Sequence, residues 1–340
     1  MKINKQELIT ALERVKPGLG TNDKIKQSTS FAFLGDKVVT YNDKISISHP
    51  IEGLDLTGVI ASKELYSLLK RIKADEINIT SVKNEIKIKA GPIEAGLRLE
   101  KEVKLPLEDE LSIPEEWNLL PDNFVSGLKF CMGCASSDFA HPILTCVHVL
   151  VEGSMEASDN LRIARYTLQK KLTGVADFLI PAKSCAEVVK LNPSEIAETK
   201  GWMHFKTEDG TILSCRVWDD AYVDIGDFLE VEGVPVTFTK EVIDALSRAS
   251  IFSKRDSVLD EEVEIAFKNK RIVIQGSSDV GWIKETIRTK YDDQSLTFTI
   301  APYLLKDILK ETDTCILSEN RMKFSSDDWE YVGSVKNMEE

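Results

Sequence analysis

Apolar positions recur at helical spacing in six stretches of this chain. They are KQELITALERVK (5–16), SKELYSLLKRIK (62–73), DNFVSGLKFCMG (122–133), PAKSCAEVVK (181–190), TKEVIDALSRASIFSKR (239–255) and PYLLKDILK (302–310). Several open on good start signals: Ser62 with Glu64 in the first turn, Pro181, Thr239 followed by Glu241, and Pro302. After each helix the pattern shifts to period two or to a short apolar run, as in KISIS, EIKIKAG, RIVIQG and MKFSS. That pattern predicts a pair of strands joined by a polar turn. The turns fall near Asn42-Asp43, Lys83-Asn84, Glu152-Gly153, Glu208-Asp209-Gly210, Lys268-Asn269 and Glu319-Asn320.

The spacing of these elements is regular. Helix starts at 5, 122 and 239 lie 117 residues apart both times, and the interleaved starts at 62, 181 and 302 lie 119 and 121 apart. A long period holding two helix-plus-hairpin units means three copies of one α+β domain rather than one large fold. The Pro- and acid-bearing connectors LSIPEEWNLLP (111–121) and LEVEGVPV (229–236) separate the copies, which we place at 1–118, 119–232 and 233–340.

Charge follows the repeats. The chain of 340 residues has a net charge of −13, which at face value argues against nucleic acid. Yet the six helical segments together carry +8, leaving −21 on the rest. Lys63, Lys70, Arg71, Lys73, Arg248, Lys254 and Arg255 supply the densest part. Any one of them could be an ordinary solvated charge. A shared excess on repeated helices instead predicts one surface that faces a polyanion while the remainder repels it. No apolar run approaches the roughly 20 residues that cross a bilayer, and MKINKQELIT lacks a hydrophobic signal region, so a cytoplasmic protein is expected.

Chemistry of other kinds finds little support. Cys131, Cys134, His141 and Cys146 spell C-x2-C-x6-H-x4-C, superficially a zinc pattern. However, Phe124, Leu128 and Cys131 continue one helix face, and Cys146 sits in the apolar run ILTCVHVLV, so these read as free thiols in a core. Cys185, Cys215 and Cys315 are isolated, giving no disulfide framework. With four histidines, no Gly-rich phosphate loop, no G-x-S-x-G and scattered carboxylates, neither an enzyme nor a cofactor is expected.

The order of motifs resembles one known family, the bacterial DNA polymerase III beta subunit, or sliding clamp. HPILTCVHVLVEG followed by MEASDNLRIA (141–164) resembles the family's R-P-x-L-T-G-V and A-T-D-G-H-R-L-A. FLIPAKSCAEVVKL (178–191) is similar to its I-I-P-R-K segment, and SCRVWDDAYVDIGDFL (214–229) to S-R-L-I-x-G-x-Y-P-D-Y-x-x-V. TFTIAPYLLKDILK (297–310) and WEYVGSV (329–335) resemble the family's last helix and closing strand. KQELITALERV and YNDKISIS (41–48) match the first domain more faintly. The Gly-His pair after Asp is Asn160-Leu161 here, the Tyr-Pro-Asp-Tyr turn is Tyr222-Val223-Asp224-Ile225, the first domain has NDKIKQSTSFAF in place of R-P-x-L, and the chain runs on as SVKNMEE where the family closes with Met-Pro-Met-Arg-Leu. These departures suggest a divergent clamp and leave open a bacteriophage or a bacterial source.

The resemblance implies three domains of one fold per subunit, each with two helices backed by antiparallel sheets, and a head-to-tail homodimer that rings duplex DNA. Helices would line the hole, and a replicative DNA polymerase and a clamp loader would be partners. The third domain would close the ring through strands near 271–276. The resemblance also implies a pocket for short partner motifs, formed here by Leu144, Ser158, Asn160, Leu161, Arg162, Ile163, Val223, Phe228, Leu304 and Val332. In it Arg162 would be a capping charge, with Ile163 and Leu144 as apolar floor. Read from the residues alone, Leu144, Ile163 and Phe228 could equally be core, and Arg162 a surface charge or a phosphate contact. A non-catalytic repeat scaffold that binds proteins without encircling DNA is the alternative reading. It predicts the triplication but gives no reason for basic helices.

Overall fold

The computed structural model describes residues 1–22, 24–107, 111–255 and 260–337. The final MEE of the SVKNMEE run therefore lies outside the described residues.

One order of elements, strand–helix–strand–strand–strand, occurs six times along the chain. The first runs β1 (Lys2–Asn4), α1 (Lys5–Val15), β2 (Ser30–Gly35), β3 (Lys37–Tyr41) and β4 (Ile45–Pro50). The second is β5 (Leu56–Ala61), α2 (Ser62–Arg71), β6 (Glu76–Val82), β7 (Glu85–Ala90) and β8 (Ile93–Arg98). The third is β9 (Asn118–Leu119), α3 (Phe124–Met132), β10 (Cys146–Leu150), β11 (Ser154–Ser158) and β12 (Arg162–Thr167). The fourth is β13 (Phe178–Pro181), α4 (Ala182–Leu191), β14 (Glu195–Thr199), β15 (Trp202–Lys206) and β16 (Ile212–Arg216). The fifth is β17 (Val234–Thr237), α5 (Glu241–Ser253), β18 (Val263–Lys268), β19 (Arg271–Ser278) and β20 (Gly281–Arg288). The sixth is β21 (Leu296–Ile300), α6 (Pro302–Lys306), β22 (Thr314–Leu317), β23 (Arg321–Ser325) and β24 (Trp329–Ser334), with β25 (Lys336–Asn337) after it.

All six helices expected from periodicity are present, and each has one strand before it and three after it rather than a hairpin alone. The extra strands lack a sequence signature for physical reasons. β1 and β9 are three and two residues long, too short to show a period. β8 has only Ala95 and Leu97 half-buried on one face and no buried residue, so its alternation is weak. Local chemistry sets the helix ends and turns. The Asn4 side chain caps α1 by accepting from the Gln6 and Glu7 amides at 2.8 and 3.3 Å. Asn192 ends α4 at φ 54°, a left-handed position that Asn tolerates. The β18–β19 turn is Asn269-Lys270, one residue later than expected. Both residues have positive φ (52° and 58°), as the tight two-residue hairpin needs.

The chain forms two compact units. Residues 1–129, 149–153 and 169–220 make the first, and residues 130–148, 154–168 and 221–340 the second, so the second sequence repeat contributes to both. In the first unit β1, β6, β7 and β8 form one sheet, and an eight-stranded sheet runs β5-β2-β3-β4-β16-β15-β14-β9. The β4–β16 pairing, with Ile47 opposite Leu213 and Ile45 opposite Cys215, joins the first repeat to the second. Its core includes Leu8, Leu12, Phe31, Phe33, Ile47 and Phe205. In the second unit β11, β12, β24, β23, β22 and β17 lie side by side in that order, and β20-β19-β18-β21-β25 form a second sheet. Phe238 packs edge-on to Phe267 at 5.5 Å and stacks on Phe324 at 6.3 Å in its core. β19, which holds residues 271–276, is paired on both sides. The edges of that sheet are β20, the hairpin partner of β19, and the short β25, so residues 271–276 themselves are one strand in from an edge. No described helix is long and apolar enough to cross a membrane.

Candidate partner-docking and nucleic-acid surfaces

The turn between β11 and β12 is built by its own side chains. Asp159 accepts the backbone N–H groups of Leu161 and Arg162 at 3.1 and 3.0 Å, and the Ser158 hydroxyl donates to the Arg162 carbonyl at 2.9 Å. Asn160 takes φ 73°, the left-handed position that closes the corner. Arg162 then folds back on this turn. Its Nε lies 2.9 Å from Asp159 Oδ2, with the two side chains only 11% and 9% exposed, and its guanidinium stacks 4.9 Å from the Tyr303 ring centre. Burial works against the arginine charge. Cys134, Tyr331, Asp159 and Tyr303 outweigh it and hold the group more firmly protonated than usual.

Register decides which residues meet. Opposite residues of paired strands share a face, and Ile163 faces Val332, which faces Lys323. Arg162 pairs with Gly333 and so projects from the other face. On that other face Tyr331 donates its hydroxyl to the Leu304 carbonyl at 2.6 Å, and Leu304 is buried. Leu144 is buried as well, its carbonyl accepting from the Ser136 amide at 2.8 Å. The structure thus separates Arg162 from Ile163 and Val332 by the thickness of a strand.

The Ile163 face is covered by the 222–231 segment, which carries a short helical turn at Gly226–Leu229. Ile225, Leu229 and Val332 form a buried cluster, with Ile163, Tyr222 and Val231 packed against it. Val223 and Phe228 of the same segment are 43% and 49% exposed, so apolar surface is presented at the margin of this cluster. Ser158 is buried and Asn160 exposed. Arg321 and Lys323, two apart on β23, hold the segment down. Lys323 Nζ donates to the Leu229 carbonyl at 2.8 Å, and the Arg321 guanidinium lies 5.1 Å from the Phe228 ring centre. Behind Tyr222, the His148 ring packs at 5.0 Å, and Glu156 lies 3.5 Å from His148 and 2.7 Å from Arg165. Burial alone would raise the Glu156 pKa. His148 and Arg165 outweigh it and hold the carboxyl below its usual range.

Sequence reasoning missed Tyr222, Ile225, Leu229, Val231, Arg321 and Lys323. The i, i+4 pair Ile225 and Leu229 was a detectable helical signal. The alternation of Arg321 and Lys323 with buried Met322 and Phe324 was a detectable strand signal.

The cations named from the sequence divide into two groups. Lys70 is 2.5 Å from Glu13 and 5.3 Å from the Tyr66 ring centre, while Tyr66 itself donates to Glu13 at 2.6 Å. Arg248 grips Glu285 of β20 with two hydrogen bonds of 2.9 and 2.7 Å. Arg255 reaches the Lys254 and Ser277 carbonyls at 2.9 and 3.3 Å. Lys63, Arg71, Lys73 and Lys254 are exposed, and among the described residues none forms an ion pair. All six cysteines are free and buried, His141 is exposed, and among the described residues no group of three or more His, Cys, Asp or Glu side chains could hold a metal.

No protein-family model and no curated protein sequence matches this chain at a significant level. Solved structures do. The chain is similar to the DNA polymerase III subunit beta of Pseudomonas aeruginosa (TM-score 0.83, 16% identity) and to the DNA polymerase sliding clamp of Bacillus subtilis (TM-score 0.82, 18% identity), with 99% of both chains covered in each comparison. It is likewise similar to the beta subunit from DNA polymerase of Streptococcus pyogenes (TM-score 0.83, 20% identity), again over 99% of both chains. From end to end, this chain carries the fold of the DNA polymerase III beta-subunit sliding clamps.

Proposed function

We propose that this protein is a non-catalytic DNA sliding clamp, two copies of which join head to tail around duplex DNA and tether a replicative polymerase. The observation that carries the reading is the match of fold along 99% of both chains to proteins described as sliding clamps. The six-fold recurrence of one strand–helix–strand–strand–strand unit supports three domains at 1–118, 119–232 and 233–340, half of a six-domain ring. Exposed Lys63, Arg71, Lys73 and Lys254 would meet phosphates inside that ring without reading sequence. Weak contacts of that kind let a ring slide, because no base contact has to break.

Closure would use free strand edges. β8 is an edge of its sheet and β20 of another, and beside β20 the side chains of Ile251, Val280 and Trp282 are largely exposed. Unpaired edges flanked by apolar side chains are natural sites for pairing with another chain. A partner motif would dock at the margin of the Ile163–Val332 cluster, where Val223 and Phe228 are exposed, burying apolar side chains worth roughly 1.5–3 kcal/mol each. The clamp loader would be a further partner.

The test is retention on nicked circular DNA after loading. A clamp stays bound to the circle at moderate salt and is lost when the circle is linearised, whereas a protein scaffold shows no such difference. Reversing Lys63, Arg71 and Lys73 to Glu reduces loading and processive synthesis while leaving peptide binding intact. Ile163→Asp does the opposite. Indifference to linearisation refutes the ring.

A further inference from the structure

We propose that Arg321 selects partner motifs that carry an aspartate or glutamate side chain beside their aromatic anchor. This rests on the docking reading above and adds to it the chemistry of the preferred motif. Arg321 stands on the face that holds Ile163 and Val332, one strand position pair from Lys323 and opposite Ser334. Its guanidinium lies over the ring of Phe228, which is itself half exposed at the margin of the apolar cluster.

The case turns on unused donors. A guanidinium has five N–H donors in a planar fork. Among the described residues, the one side-chain hydrogen bond of Arg321 goes from Nη1 to the Phe228 carbonyl, at 3.5 Å, the outer limit of such a bond. Its basic neighbours are committed: Arg162 to Asp159 at 2.9 Å, Arg165 to Glu156 at 2.7 Å, and Lys323 to Glu330 at 2.6 Å. No carboxylate among the described residues pairs with Arg321. With Phe228 beside it and a single weak hydrogen bond, the fork keeps N–H donors that have no partner among the described residues, the groups that take a carboxylate through two parallel bonds. An aromatic anchor seated against Phe228 and Val223 would bring the next side chain of the motif to that edge.

The covering segment carries Asp224, Asp227 and Glu230, all exposed. Asp224 is occupied, accepting the Gly226 amide at 2.9 Å. At separations beyond about 8–10 Å their repulsion is largely screened. Screening therefore removes them from long-range steering, and a bidentate contact formed after docking shows in the dissociation rate rather than in association.

The experiment uses the full chain and fluorescein-labelled peptides sharing one Leu and one Phe anchor, read by anisotropy. The first has Asp beside the Phe and an amidated end, the second Asn and an amidated end, and the third Asn with a free terminal carboxylate after the Phe. We expect the Asp peptide to bind about tenfold more tightly than the Asn amide, mostly through slower release. Arg321→Met, which keeps a stem over Phe228, erases that difference, and Arg321→Lys retains part of it. Equal affinity of the first two peptides, or a difference that survives in Arg321→Met, overturns the proposal. Tight binding confined to the third peptide also overturns it, by moving recognition to a chain end. If no peptide binds at all, the docking reading fails and this inference with it.

Discussion

Arg162→Met separates two roles for the most conspicuous cation of the β11–β12 turn. The structure makes Arg162 the clip of that turn, since its Nε is 2.9 Å from Asp159 and the two side chains are about nine-tenths covered. Removing one partner of a buried ion pair costs roughly 3–5 kcal/mol, because the other charge is left uncompensated. Asp159 keeps two backbone N–H donors at 3.1 and 3.0 Å, which places the cost at the low end, about 3 kcal/mol. Hydrogen exchange of β12 and β24 amides, read by mass spectrometry, is the direct assay, since Ser334 N–H bonds to the Leu161 carbonyl at 2.8 Å beside this turn. A local loss of about 3 kcal/mol accelerates exchange there by about a hundredfold. Adding Asp159→Asn removes the orphaned charge and recovers part of the loss. If Arg162 instead caps a docking pocket, peptide affinity falls while exchange stays as in the native chain. That result refutes the clip.

His204 is fully buried between the Thr199 and Ser214 hydroxyls, each at 2.7 Å, and burial lowers its pKa from 6.5 to about 4. The unfolded chain therefore binds the extra proton between these values, so stability is complete above pH 6.5 and falls by about 2–3 kcal/mol on going to pH 4.5, a slope that His204→Gln flattens in denaturation at the two pH values. Trp282→Asp puts a charge on the exposed side of the β20 edge, where Val280 and Ile251 also lie exposed. It shifts sedimentation from dimer toward monomer with unchanged circular dichroism, and an unshifted dimer excludes this edge from ring closure.

Local periodicity determined the six helices and most of their turns, because a helix face and a polar corner are both written within a dozen residues. Asn4 caps α1 from an adjacent position, and Asn42 accepts the Lys44 and Ile45 amides at 3.1 and 3.0 Å in its own turn. The 117-residue spacing made the triplication legible for the same reason: each copy repeats its local pattern. Likeness in motif order anticipated the clamp fold at 15–20% identity.

Tertiary structure alone decided what meets across long separations. β1 and β9 exist because longer strands pair with them, not because their three and two residues favour extension. The β4–β16 and β12–β24 pairings join different repeats, and no local signal specifies which strand edges find each other. The same pairing set the fate of the candidate pocket. Ile163 and Arg162 are neighbours in the chain, but the two-residue period of a strand sends them to opposite faces, one toward Val332 and the other toward Tyr303. Arg321 meets Phe228 only because β23 is set beside β24 and the 222–231 segment folds over that face. Burial and partner identity are properties of the assembled sheet, and a sequence carries them only through the register that folding selects.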